Sequence, residues 1–286
     1  MSSAGELPEL VSTRDAIRDR VVAARREGRR VGLVPTMGAL HAGHLSLVER
    51  ARAECGLVLA SVFVNPTQFG PGEDLERYPR DLDADLRLLA GAGCGVVFAP
   101  SVETMYPPGC DTWVEVGAAA KPLEGEHRPT HFRGVATVVL KLMNLAPADA
   151  VYFGRKDYQQ TVVVRRMVED LNVPIEVVVC PTVREPDGLA MSSRNAYLSS
   201  EERQRALALS RGLRAASEMH AAGERRAPVI RGSIEQLLAE AGVETQYVAL
   251  LREGTVDAIE TIDGPTVVAI AGKVGETRLI DNATIG

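Results

Sequence analysis

The chain has 286 residues, 45% of them hydrophobic, so it is long enough to bury a sizeable core in one large domain or two ordinary ones. Its formal net charge is −6 and it has no long basic run, which argues against nucleic acid as a partner. No apolar stretch approaches the roughly 18 residues of a membrane span, and the N-terminus lacks a secretory pattern, so we expect a cytoplasmic protein with no membrane partner.

The first part of the chain alternates helical patterns with short apolar runs. Helices are expected near residues 13–27, 45–55, 81–92, 134–145 and 158–171, and strands near 30–35, 57–64, 95–98, 150–153 and 175–179. This alternation indicates an α/β fold with a doubly wound parallel sheet. Ligands of such sheets bind at the carboxyl ends of the strands, so the loops after Pro35, Val64 and Phe153 are the first places to inspect.

From residue 181 the pattern changes to a polar loop, followed by a helix that Ser199 and Glu202 are expected to cap. Helices near 201–222 and 229–240 and strands near 247–251, 266–271 and 277–281 then predict a smaller α+β domain. We place the boundary so that residues 1–182 form the first domain and residues 183–286 the second.

The sharpest chemical signal is His41-Ala42-Gly43-His44, between a buried strand with its glycine-containing turn and a helix. Backbone N–H groups at a helix N-terminus bind anions, and Gly43 lets a phosphate approach the backbone closely. The helix dipole supplies only about 0.3–1 kcal/mol, whereas one cation at ~4 Å supplies roughly 4 kcal/mol at an effective dielectric near 20. Side-chain cations must therefore supply most of the binding of a phosphate here.

Other interpretations of this motif are weighed beside the phosphate site. On spacing alone, two histidines three residues apart are equally well explained as ordinary loop residues. A zinc site is disfavoured because the HExxH pattern places its ligands four apart, with a Glu beside the first His. The chain also lacks GxxxxGK[ST] and a GxGxxG after a strand, which argues against the two commonest phosphate-binding loops.

Two further predicted loops contain side chains that can bind phosphate. GRKDYQQ at residues 154–160 follows a predicted strand and places Lys156 where a loop cation can reach phosphates. Met191-Ser192-Ser193-Arg194 offers hydroxyl groups and a guanidinium, which suit phosphate oxygens. Either string alone is more often a solvated turn, and it is the combination that favours phosphate binding.

Together these motifs resemble the pantothenate synthetase family from about residue 31 to residue 282. The resemblance is carried, in order, by PTMGALHAGH (35–44), NPTQF (65–69), HFRGV (131–135), GRKDYQQ (154–160) and AMSSRN (190–195). It implies ATP-dependent condensation of (R)-pantoate with β-alanine to pantothenate, AMP and pyrophosphate through a pantoyl-adenylate. It also implies a cytoplasmic homodimer with a Rossmann-like N-terminal domain, which binds nucleotide and pantoate, under a smaller C-terminal lid domain.

Carried over by position, the resemblance makes His44 a proton donor. His41, Lys156 and Arg194 would stabilise charge on the transferring phosphate, and Gln68, Gln160 and Asn65 would hold the small substrates. The implied ATP-binding residues are Pro35, Thr36, Met37, Gly38, Ala39, Leu40, His41, Ala42, Gly43, His44, Gly154, Arg155, Lys156, Asp157, Val183, Met191, Ser192, Ser193 and Arg194.

The chain departs from the family pattern at several positions. Arg155 stands where the family usually has Glu, and Ala42 where it often has Glu, but neither side chain needs to contact the ligand. Ala84 and Leu88 replace acidic and amide groups on the helix that carries Asp85. We therefore expect Mg²⁺ to arrive on the phosphates of ATP, with Asp85 as a water-mediated contact.

Two rival functions are compatible with parts of the sequence. The first rival is another HxGH adenylyltransferase, or a fragment of a class I aminoacyl-tRNA synthetase, which would act on a different small acid or on a nucleotide. The acidic net charge and the lack of a tRNA-binding region count against the synthetase. A non-catalytic nucleotide-binding module would be favoured only if the histidines or Lys156 were missing, and all are present.

Overall fold

The computed structural model describes residues 6–286, which divide into two compact units. The first contains the described residues up to Gly154 together with Val163–Cys180, and the second contains Arg155–Val162 together with Pro181–Gly286. Tyr158 lies in the second unit, where its hydroxyl donates a 2.8 Å hydrogen bond to the carbonyl of Thr255. The domain boundary after residue 182 stays a prediction, and the sequence patterns did not indicate that residues 155–162 pack with the later part of the chain.

The first unit is built on a six-stranded sheet in which every adjacent pair is parallel, which confirms the predicted α/β class. The strands are β1 Glu9–Val11, β2 Val31–Thr36, β3 Leu57–Val62, β4 Val96–Phe98, β5 Ala150–Gly154 and β6 Glu176–Cys180. Their spatial order is β1-β4-β3-β2-β5-β6. The edge strand β1 was not predicted, because its three residues include two exposed ones and form no apolar run.

Helices flank the strands where the periodicity placed them, and short elements fill the loops. The helices up to residue 170 are α1 Arg14–Arg26, α2 Ala42–Glu54, α3 Leu82–Ala92, α4 Val102–Met105, α5 Glu124–His127, α6 His131–Leu145 and α7 Tyr158–Asp170. Single 3-10 turns occur at Pro66–Gln68, Ala118–Ala120 and Arg155–Asp157. The helices α4 and α5 and these turns were not predicted, because elements of three or four residues show no periodicity.

The sheet is buried on both faces, so side chains that alternate along a strand enter two different hydrophobic clusters. Leu33 and Val151 pack in one cluster with α1, α6 and α7, whereas their neighbours Val34 and Tyr152 pack in the other with α2 and α3. Near-continuous apolar strands are typical of parallel sheets for this reason. Because both faces are packed, the point at which each loop leaves its strand is fixed.

The second unit has a three-stranded antiparallel sheet and two long helices. Its elements are α8 Ser200–Ala221, α9 Ala227–Glu240, β7 Glu244–Arg252, β8 Thr266–Val274, β9 Thr277–Ile285 and a 3-10 turn at Ser193–Tyr197. The strand order in the sheet is β7-β8-β9. The predicted capping box of Ser199 and Glu202 starts α8. The strands are longer than predicted because ladder pairing continues through polar residues, as in the pair Glu244 and Lys273.

Helix α6 approaches the 3-10 turn at residues 66–68 so closely that only glycine fits at position 134. A Cβ atom there would clash with the carbonyl of Thr67 and would lie 2.7 Å from the Cα atom of Gln68. The Asn65 side chain also donates a 3.2 Å hydrogen bond to the carbonyl of Gly134. Gly134 therefore sets the position of the segment that carries Asn65 and Gln68.

We expect Gly134→Ala to lower the free energy of unfolding by about 1–3 kcal/mol, because the extra methyl group must displace backbone. Gly232→Ala is the matched control, since Gly232 lies within α9 and a Cβ atom there would meet nothing within 4 Å. That change should raise stability by about 0.5–1 kcal/mol through helix propensity. Denaturant unfolding measures both, and a neutral Gly134→Ala variant would contradict the close approach.

Candidate active site

The loop between β2 and α2 contains the predicted phosphate-binding residues and has an unusual backbone. Gly38 and Ala39 both adopt positive φ angles, of 83° and 51°. For a residue with a side chain, this left-handed conformation costs roughly 1–2 kcal/mol, so contacts elsewhere must hold Ala39 in place. At the start of the loop, the Thr36 hydroxyl donates to the carbonyl of Ser61 at 2.6 Å and accepts from the N–H of Gly38 at 3.2 Å.

The carboxylate of Asp85 holds the same loop from helix α3. Its Oδ2 accepts from the backbone N–H of Ala39 at 3.1 Å, and its Oδ1 accepts from that of Leu40 at 2.8 Å. The residue is only 3% exposed, and burial raises the pKa of its carboxyl group while the two amide hydrogen bonds oppose the shift. Sequence reasoning expected a magnesium contact here and missed this anchoring role, because nothing in the chain near Asp85 points to residues 39 and 40.

The two histidines of the HxGH motif lie side by side at the start of α2. The helix begins at Ala42, three residues earlier than predicted, because the Nδ1 atom of His41 caps it by accepting from the N–H of Gly43 at 3.1 Å. An accepting Nδ1 carries no proton, so the neutral His41 ring carries its proton on Nε2. The ring centroids of His41 and His44 are 4.1 Å apart.

The predicted substrate residues Asn65 and Gln68 lie against this loop within the first unit. Asn65 is 1% exposed and donates to the Gln68 Oε1 atom at 3.1 Å, while the Gln68 Nε2 atom donates to the sulfur of Met37 at 3.0 Å. The Tyr106 hydroxyl donates to the Asn65 Oδ1 atom at 2.9 Å. The structure thus brings together two predicted substrate residues and one predicted ATP residue that are about thirty positions apart in the chain.

A partly buried charged network fixes the backbone of Gln68. Arg128 forms a bidentate ion pair with Glu73, at 2.7 and 2.5 Å, and donates through Nη2 to the carbonyl of Gln68 at 3.3 Å. The same carbonyl accepts from His131 Nδ1 at 2.9 Å. Burial and the adjacent Arg128 guanidinium lower the pKa of His131 to about 4, so its ring is neutral near pH 7 and its Nε2 accepts from Arg128. Sequence reasoning missed this role of Arg128 and His131.

In the second unit, the predicted residues Arg155, Lys156 and Asp157 form a 3-10 turn. The Lys156 Nζ atom lies 3.6 Å from the Asp157 carboxylate. The Arg155 side chain donates to the Glu253 carboxylate at 2.5 Å and to the hydroxyl of Thr284. The Arg155 side chain is thus engaged within its own unit, and whether it contacts a ligand stays a prediction.

The other predicted residues of the second unit form a hairpin followed by a turn. An isolated antiparallel bridge joins Arg184 to Ala190, and the N–H of Met191 donates to the carbonyl of Val183 at 2.9 Å. Ser192 caps the next turn by accepting from the N–H of Arg194 at 3.3 Å. Val183 and the segment 191–194, which are separated in sequence, are therefore neighbours in the structure.

Within residues 6–286, no group of three or more His, Cys, Asp or Glu side chains is arranged to hold a metal ion. None of the helices in this range combines the length and the apolar character needed to cross a bilayer. A contact of Asp85 with Mg²⁺ stays a prediction, and both of its oxygens already accept hydrogen bonds from the loop.

We expect Asp85→Asn to lower the free energy of unfolding by about 1–3 kcal/mol, because its amide NH₂ group must face one of the two backbone N–H donors. Asp83→Asn, an exposed position on the same helix, should change stability by less than about 0.5 kcal/mol. Chemical denaturation of the two variants side by side measures the difference. Equal losses would show that the carboxylate of Asp85 does not anchor the loop.

Comparison with known proteins gives matches along nearly the whole chain. A family model described as pantoate-beta-alanine ligase matches residues 9–284. The pantothenate synthetase of Moorella thermoacetica is 53% identical over 278 residues, which cover 97% of this chain and 98% of the relative. That of a Roseiflexus species is 55% identical over 255 residues, covering 89% and 92% respectively.

Solved structures agree with these sequence matches. The pantothenate synthetase of Thermus thermophilus superposes with a TM-score of 0.91 at 49% identity, over 96% of this chain and 98% of that protein. The pantoate-beta-alanine ligase of Francisella tularensis, whose structure holds beta-gamma ATP and beta-alanine, superposes with a TM-score of 0.80 at 33% identity, over 96% and 97%. By sequence and by fold, this chain belongs to the pantoate-beta-alanine ligase family.

Proposed function

We propose that the chain condenses (R)-pantoate with β-alanine, using ATP and releasing AMP and pyrophosphate, through a pantoyl-adenylate. The match to the ligase family over residues 9–284 carries this proposal. The geometry of the first unit supports it, because His41, which caps α2, lies beside His44 in the first turn of that helix, and the side-chain amides of Asn65 and Gln68, which suit a small hydroxy acid, are hydrogen-bonded to each other next to Met37 of the same loop.

In the first half-reaction, a carboxylate oxygen of pantoate bonds to the α-phosphorus of ATP while the bond to pyrophosphate breaks. Negative charge accumulates on phosphate oxygens, so fixed donors and cations lower the barrier. We assign this stabilisation to His41, Lys156 and Arg194, and assign His44 as the proton donor. The proton on His41 Nε2 suits it to donate a hydrogen bond to an oxyanion.

In the second half-reaction, the amine of β-alanine attacks the acyl carbon, its nitrogen loses a proton as the amide bond forms, and AMP leaves with the carboxylate oxygen. This step requires orientation and exclusion of water rather than a protein nucleophile. We assign the orientation of the small substrates to Gln68, Gln160 and Asn65. Neutral amides hydrogen-bond hydroxyl and carboxylate groups without forming a competing ion pair.

The remaining assignments follow the family resemblance. The ATP-binding set comprises residues 35–44, 154–157, Val183 and 191–194. Mg²⁺ belongs to this proposal as an ion carried by the phosphates of ATP, with Asp85 in contact only through water. We also propose that the chain acts as a homodimer in the cytoplasm.

We expect the purified chain to release AMP and pantothenate in equal amounts from pantoate, β-alanine, ATP and Mg²⁺. A coupled AMP assay with product identification measures both. Omitting pantoate should abolish pyrophosphate release, because adenylate formation needs the acid. Release that ignores pantoate would favour another HxGH adenylyltransferase and would overturn the substrate assignment.

We expect Lys156→Ala and His44→Ala each to lower kcat/KM about 100-fold or more, which corresponds to at least ~2.7 kcal/mol, the effect of losing one preorganised donor. Lys273→Ala and His220→Ala are the matched controls, since neither residue belongs to the proposed site. Steady-state kinetics of all four variants measure the change in kcat/KM. Near-normal activity of Lys156→Ala or His44→Ala would remove that residue from the mechanism.

A further inference from the structure

Strand β9 carries two buried polar residues next to each other near the C-terminal end of the chain. Asp281 is 3% exposed and Asn282 is 4% exposed. They pair in register with Ile270 and Ala269 of the central strand β8, so their backbone positions are fixed by the sheet. Buried polar side chains are costly unless they are hydrogen-bonded, so what each of them binds is informative.

The amide of Asn282 binds the backbone of the turn that contains Lys156. Its Nδ2 atom donates to the carbonyl oxygen of Arg155 at 2.9 Å and to that of Lys156 at 2.8 Å. Carbonyl oxygens only accept hydrogen bonds, so the NH₂ group must face them and the orientation of the amide is determined. Among the described residues, the Asn282 Oδ1 atom has no hydrogen-bond partner, so the two donated bonds alone orient the side chain.

These two hydrogen bonds fix the peptide planes that follow Arg155 and Lys156, and so the direction in which the Lys156 side chain leaves the backbone. The Arg155 side chain adds a second attachment to β9 through the hydroxyl of Thr284. Side chains alternate along a strand, so Asn282 and Thr284 share one face, whereas Leu279 and Ile285 on the other face join the core with α8 and α9. One face of β9 thus serves as the base of the Lys156 turn.

The neighbouring Asp281 binds the hairpin that precedes residues 191–194, the other predicted phosphate segment of this unit. Both of its carboxylate oxygens accept from Arg184, at 2.6 and 3.0 Å. Arg184 also donates to the carbonyl of Gly188 at 3.1 Å, within the hairpin that leads to residues 191–194. The N–H of Asn282 donates to Asp281 Oδ1 at 2.8 Å, which joins the two anchors.

We propose that Asn282 is a positioning residue for adenylate formation, which acts by holding the backbone of Lys156 and does not itself touch a substrate. This inference rests on the proposed function, in which Lys156 stabilises the transferring phosphate. An ammonium group on a displaced turn still binds anions but no longer matches the transition state. Asn282 is therefore expected to affect the rate of adenylate formation more than the handling of β-alanine.

The test is the pantoate-dependent exchange of labelled pyrophosphate into ATP, which isolates the first half-reaction. Asn282→Ala and the isosteric Asn282→Asp both remove the NH₂ donor and should slow exchange about 10–100-fold, the scale of an ångström-sized misplacement. The KM for β-alanine in the complete reaction should change less than about threefold. Thr277→Val, at a buried polar position of the same strand, is the matched control and should leave exchange unchanged.

A double-mutant cycle separates positioning from a general loss of structure. If Asn282 acts through Lys156, the variant carrying both Lys156→Ala and Asn282→Ala should be no slower than Lys156→Ala alone. Independent effects that multiply would overturn the inference, as would exchange within about threefold of the wild type in the Asn282 variants. If Asn282→Ala does not fold, Asn282→Ser, which keeps one donor on a small side chain, completes the same cycle.

The wild-type protein in the same assay distinguishes the two levels of the proposal. A wild type without pantoate-dependent exchange would overturn the proposed function, and this inference with it. An active wild type whose Asn282 variants exchange normally would overturn the inference alone.

Discussion

The candidate site of the first unit depends on the hydrogen bonds that the buried carboxylate of Asp85 accepts from the loop after β2. The loop after β2 turns into α2 through two consecutive residues with positive φ, of which Ala39 is strained. Two hydrogen bonds from the backbone of Ala39 and Leu40 to Asp85 hold this conformation. With it in place, His41 reaches the position in which its ring caps α2 and lies against the ring of His44.

Gln68 is likewise held by hydrogen bonds with other residues. Its side chain is engaged by Asn65 and Met37, and its carbonyl oxygen accepts hydrogen bonds from Arg128 and His131. A protonated His131 ring would place a second positive charge against the Arg128 guanidinium. Burial and this repulsion lower the pKa of His131, so its ring stays neutral. The segment is thereby fixed by groups that need not touch a substrate themselves.

In the second unit, β9 holds the turn of Lys156 on one side and the hairpin before residues 191–194 on the other. In both units, buried side chains bind backbone carbonyl or N–H groups of the segments that carry the proposed chemistry. Such bonds are made to the backbone, so they fix the point from which each functional side chain extends. Preorganisation of this kind is what electrostatic stabilisation of a transition state requires.

The sequence by itself determined the parallel α/β class, the positions of the long helices and strands, the placement of HxGH at a helix start, and the family. These follow from periodicity and from motifs of a few adjacent residues, which are local properties. Only the tertiary structure decided that the 3-residue strand β1 forms an edge of the sheet and that α2 starts at Ala42. It alone also decided which side chains hold the proposed site segments, namely those of Asp85, Arg128, His131 and Asn282. The anchoring bonds of Asp85 and Asn282 join residues 45 and 126 positions apart, and no local pattern records which distant backbone group a buried polar side chain will bind.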